Sequence, residues 1–122
     1  MSSTTAGRVK DPGDTYGRLI AASKVNSTAV YDRQGNRLGS VEDIMIDKTA
    51  GQVDYAILSF GGFLGIGSDY YPLPWRQLNY DTSLGGFRVD LTKERLEGAP
   101  RYTRDSSWSD WNSVDTYYGN GI

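Results

Sequence analysis

The chain has 122 residues, 13 basic and 15 acidic side chains, and neither cysteine nor histidine. That length suits one domain with a core of its own, while the missing residue types remove disulfides, thiolate nucleophiles, cysteine-based zinc sites and the commonest general base and metal ligand. A formal net charge of -2 offers no basic surface for nucleic acid or anionic lipid, and no apolar run approaches the roughly 20 residues of a membrane span, so neither direct nucleic-acid binding nor membrane insertion is expected.

Residues 1–18 are rich in Ser, Thr, Gly, Asp and Pro. Such a segment cannot bury enough apolar surface to offset its ordering entropy, and it reads as a flexible arm. It also lacks the apolar stretch of a signal peptide, so a cytoplasmic location is expected. Residues 19–100 read as the main domain, built of short strands joined by turns. Ala29-Val30-Tyr31 is β-prone and is followed by the polar turn Asp32-Arg33-Gln34-Gly35-Asn36. Arg37 to Asp47 is a strand in which Ile44 and Ile46 share a face. Val41 is out of phase with them, and a bulge near Glu42-Asp43 restores the register. Lys48 to Gln52 is a second turn with a glycine.

Val53 to Phe60 is apolar on both faces in its second half, the mark of a strand covered on both sides. Four glycines follow at 61, 62, 65 and 67. Their order is G-x-x-G-x-G, not the G-x-G-x-x-G of dinucleotide sites, and no Gly-Lys-Ser/Thr follows. What does follow is strand-prone Tyr70-Tyr71-Pro72-Leu73-Pro74-Trp75 rather than a helix whose amides could face a phosphate. The glycines are read as a hairpin with an apolar tip. Prolines at alternate positions make the next strand an edge, a bulge site or a barrel seam. Asn79 to Gly86 reads as a loop and Phe87 to Leu91 as an alternating strand. Thr92 caps a short helix over 93–97, ended by Gly98. Residues 101–122 form a tail in which Ser107 caps a helix. There Trp108, Trp111, Asp115 and Tyr118 fall at 3, 4 and 3 spacing on one face, too short to stand without a docking surface.

The run Arg37 to Asp47, then Thr49 to Val53, then the glycines from 61 to 67, then Tyr71-Pro72-Leu73-Pro74-Trp75 resembles the PRC-barrel family. This is the small barrel of the photosynthetic reaction centre H subunit and of the C-terminal half of the ribosome maturation factor RimM. The resemblance spans about residues 19–102. It implies an all-β fold, a small antiparallel barrel of five or six strands, here with a short C-terminal helix, and a module that works by contact, not catalysis. No catalytic residue, cofactor or metal is expected.

Three groups are candidates for function. Glu42, Asp43 and Asp47 are either a weak cation or proton-relay site or strand-end carboxylates that bind turn amides. Tyr70, Tyr71 and Trp75 are core or contact surface. Trp108, Trp111 and Tyr118 dock either on their own barrel or across a homodimer. The function expected is a self-associating, protein-binding module with an unknown partner. The alternatives are an accessory to photosynthetic or respiratory electron transport at membranes and a ribosome-maturation adaptor.

Overall fold

The computed structural model describes residues 15–16, 18–60, 69–103 and 108–119. Its centre is a six-stranded sheet in the order β6-β5-β4-β3-β8-β7. The strands are β3 (Ala29–Tyr31), β4 (Arg37–Asp47), β5 (Gln52–Phe60), β6 (Asp69–Pro74), β7 (Asn79–Asp81) and β8 (Gly86–Arg88). All neighbours are antiparallel except β3 and β8, which run parallel. A two-stranded ribbon of β1 (Thr15–Tyr16) and β2 (Leu19–Ile20) precedes it, so the last residues assigned to the arm are paired strand. Residues 1–14 lie outside the described residues.

The turns follow local chemistry. Asp32 accepts the amides of Gln34 and Asn36 at 2.9 Å, and Gly35 supplies φ +88. Asp47 accepts the amides of Thr49 and Ala50 at 2.9 and 3.0 Å ahead of Gly51 at φ +74. Asp81 does the same for Ser83 and Leu84 before Gly85. Thr92 caps α2 (Lys93–Glu97) through the Arg95 amide at 3.0 Å.

The β4–β5 ladder slips where Val41 pairs with Leu58 and Asp43 with Ile57, leaving Glu42 as the extra residue of the expected bulge. It slips again where Met45 pairs with Tyr55 and Ile46 with Val53, leaving Asp54 extra on β5. Beyond that second slip Ile46 is 55% exposed, not turned into the core as its spacing from Ile44 suggests. The covered half of β5 is as expected: Ala56, Ile57, Leu58 and Phe60 are buried.

Four elements differ from the sequence reading. A short helix α1 (Ala22–Val25) stands where only strands were expected, and it buries Val25. Asn79–Asp81, read as loop, pairs with β8, and β8 ends at Arg88 rather than Leu91. The tail helix α3 spans Trp111–Tyr117, with Asp110 at its N-cap position, so Trp108 precedes it; Ser107 lies outside the described residues. The glycine stretch 61–68 also lies outside them. Its flanks do pair, Phe60 with Asp69, and a strand rather than a helix follows it.

Candidate interaction surface

β6 is a terminal strand of the sheet, which matches its two prolines. Pro72 and Pro74 have no N–H, so the pairs Pro72–Ile57 and Pro74–Tyr55 cannot be the hydrogen-bonded ones. The main chain of residues 70, 72 and 74 therefore faces outward, and that of Ile57 and Tyr55 faces β4. The outward carbonyl of Tyr70 accepts the Tyr102 amide at 2.7 Å. The chain after α2 thus runs along this edge and brings the tail onto the sheet.

There α3 docks on its own domain. Trp111 lies against Tyr55 with ring centroids 4.5 Å apart, and the Tyr55 hydroxyl donates to Asp115 Oδ1 at 2.7 Å. Val114 is fully buried and Tyr118 is buried beside it. Tyr117 donates its hydroxyl to the Arg95 carbonyl at 2.6 Å, and Arg95 donates back to the Tyr117 carbonyl, which ties α3 to α2. Trp108 donates its indole N–H to the Arg101 carbonyl at 3.0 Å and packs edge-on against Trp111 at 4.7 Å. Of the three tail aromatics, Tyr118 is core, while Trp108 and Trp111 are half-buried on the outside of the joint. Val114 was not singled out from the sequence, although it lies three residues from Trp111 and four from Tyr118 on the same face.

The other candidates are spread apart. Tyr70 is half-buried; Tyr71 is core, and its hydroxyl accepts Arg101 Nε at 3.3 Å. Trp75 is half-buried, edge-on to Phe87 at 5.5 Å, in a cleft of ≈ 360 Å³ that also holds Leu19, which is 49% exposed. Asp47 is committed to its turn, and the Ala50 and Thr49 amides hold its carboxyl below the usual carboxylate range. Asp43 accepts the Ile44 amide at 2.9 Å. Because Met45 and Asp43 face β5, the Ile44 amide points to the opposite side, where the β3 ladder ends at Ser40. Asp43 therefore satisfies an outward amide on a stretch of strand that has no ladder partner on that side among the described residues. Among the described residues, no three Asp, Glu, His or Cys side chains converge as metal ligands.

The joint between β5 and α3 leaves one open apolar hollow of ≈ 390 Å³, walled by Met45, Ile46, Tyr55 and Trp111 and edged by Asp47 and Asp54. Tyr55 is pushed above the ordinary tyrosine range by burial first, and then by its bond to Asp115. It keeps its proton at neutral pH and cannot serve there as a base.

The PRC-barrel domain family matches residues 17–96, so α3 and Trp111 lie beyond the matched segment. Comparison with curated proteins gives no match. Among solved structures the chain is similar to RimM of Pseudomonas aeruginosa, a 16S ribosomal RNA processing protein, at 16% identity and a TM-score of 0.41. That likeness covers 62% of this chain and 45% of the other, so this chain spans less than half of that neighbour.

Proposed function

The chain belongs to the PRC-barrel family, and from that premise we propose that it is a non-catalytic module that binds a protein partner, without a cofactor and in the cytoplasm. The observation that carries this reading is the open apolar hollow beside Ile46 and Trp111. A large aliphatic side chain left 55% exposed next to a half-buried tryptophan is the kind of surface that protein contacts use. Catalysis is disfavoured by the absence of histidine and cysteine and by a tyrosine that holds its proton. Among the described residues no helix is long and apolar enough to cross a membrane.

Self-association is a second reading, favoured by the same exposed Ile46, because one patch can meet its own copy about a two-fold axis. The aromatic tail lends it little, since Trp111, Val114 and Tyr118 are already seated within the chain.

The test is affinity capture from the native cells with the wild type and an Ile46→Ser variant, run beside sedimentation equilibrium of the pure protein. A partner retained by the wild type supports the module. Its identity then separates a membrane electron-transport accessory from a ribosome-maturation adaptor. Recovery of the protein alone, with a dimer in sedimentation, supports self-association. A monomer that captures nothing overturns both.

A further inference from the structure

The hollow has a chemistry that narrows its occupant. Its walls are aliphatic and aromatic: Met45, Ile46, Tyr55 and Trp111. Its two polar members are both carboxylates, Asp47 and Asp54. Asp115 adds a third acidic group against Tyr55. No cationic side chain lines the hollow among the described residues; Arg76 acts on Tyr55 more weakly than Asp115 does. The hollow is open rather than enclosed, which suits a side chain presented by another protein better than a small molecule sealed from water.

We propose that this hollow receives an aliphatic side chain from a basic segment of a partner protein, with flanking Lys or Arg side chains meeting Asp47 and Asp54. This deepens the protein-binding reading above and rests on it. Charge complementarity selects the occupant. A second copy whose two-fold axis passes through the hollow would bring the same carboxylates face to face, and like charges across an interface oppose association, which ranks self-association behind a basic partner. A basic segment turns that repulsion into attraction, while the aliphatic anchor supplies the desolvated centre. Of the four wall residues, Trp111 alone comes from beyond the matched family segment.

The experiment is an NMR titration of the ¹⁵N-labelled full chain with a blocked lysine-lysine-leucine-lysine-lysine peptide. Two controls replace the lysines with glutamate or the leucine with glycine. The expected result is saturable shifts at the Met45 and Ile46 amides and the Trp111 indole at about 1 mM peptide. Removing the leucine weakens binding about tenfold. Asp54→Asn weakens it about threefold, as a solvent-exposed ion pair would, and 0.5 M salt does likewise. Ile46→Ser, at an exposed position that the fold does not need, abolishes the shifts while the rest of the spectrum stays native. No shifts, shifts elsewhere, or equal binding of either control overturns the inference. Partner capture indifferent to Ile46, combined with no peptide binding, removes this inference and leaves the protein-binding reading standing. Capture of nothing by a monomer removes that reading itself.

Discussion

The hydroxyl of Tyr55 and the carboxylate of Asp115 join β5 to α3 across 60 positions of sequence. If α3 is seated as described, replacing Tyr55→Phe and Asp115→Ala, singly and together, yields a measurable coupling. A hydrogen bond to a charged group contributes about 1.5–3 kcal/mol. Here both side chains are half-buried, and water competes for them, so about 1 kcal/mol is the expected interaction energy. Phe at 55 keeps the ring against Trp111 at 4.5 Å, which confines the change to the hydroxyl. Asp115 alone would mislead, because it sits in the last turn of α3, where the helix dipole disfavours an anion. Its removal gains there what the lost bond costs, and the cycle cancels that gain. The assay is urea unfolding followed by tryptophan fluorescence, with thermal melts alongside. A loss of 1 kcal/mol corresponds to about 3–6 °C in Tm for a chain of this size. A coupling below about 0.3 kcal/mol, within ordinary additivity, would refute the docking.

Gly39→Ala should cost about 3 kcal/mol, since a Cβ there meets the Ser59 carbonyl oxygen at 2.0 Å and the strand backbone has nowhere to go; a urea midpoint unchanged from wild type would sink the assigned β4–β5 register. Tyr118→Phe should be neutral or stabilising by up to about 1 kcal/mol, because that buried hydroxyl has no hydrogen-bond partner among the described residues; a loss larger than that would show that it has one. Stability should be flat between about pH 6 and 9, because no histidine titrates there. Asp32 and Asp47 are held below the ordinary range chiefly by turn amides and Asp81 chiefly by the Ser83 hydroxyl, so each binds its proton less tightly folded than unfolded. Their stabilisation is complete above about pH 4 and is lost as pH falls further. Tyr55 and Tyr118 are raised, mainly by burial, so their contribution is lost above about pH 10. Tm measured from pH 2 to 11 checks all three limbs, and a step near pH 6.5 would contradict them.

What could be read from the sequence was local. Val41 out of phase with Ile44 announced the Glu42 bulge, Gly35 and Gly51 announced left-handed turns, and Thr92 announced a capped helix. The prolines of β6 announced an edge, a bulge site or a barrel seam, and β6 is an edge of the sheet. What could not be read depends on partners far along the chain. Asn79–Asp81 is polar and short, and becomes a strand because Tyr80 packs edge-on against Phe87 at 5.3 Å across the turn. Ile46 lies exposed beside a slip whose extra residue, Asp54, is on the opposite strand, where no pattern within β4 can register it. The tail posed a similar difficulty. Its aromatic spacing called for a surface, but whether that surface was Tyr55 or a neighbouring molecule is decided by how the chain turns after α2, at the Tyr102–Tyr70 bond. The acidic cluster was legible only as two alternatives, and the Ile44 and turn amides favour the plainer one for Asp43 and Asp47.

The strand edges bear on how such a module could meet another protein. β-strand addition needs a row of outward main-chain donors and acceptors. On β6 two of the outward donors are absent at Pro72 and Pro74, and the outward carbonyl of Tyr70 is taken by Tyr102. On the far half of β4 the outward amide of Ile44 is taken by Asp43. Both stretches are therefore poor templates for pairing, which is also how a sheet protein guards against uncontrolled association. At these two edges contact led by side chains is the better route, and the apolar surface at the β5–α3 joint is open to it. A helix beyond the matched segment thus does two things at once: it closes the exposed face of β5, and through Trp111 it builds the wall of a new surface beside it.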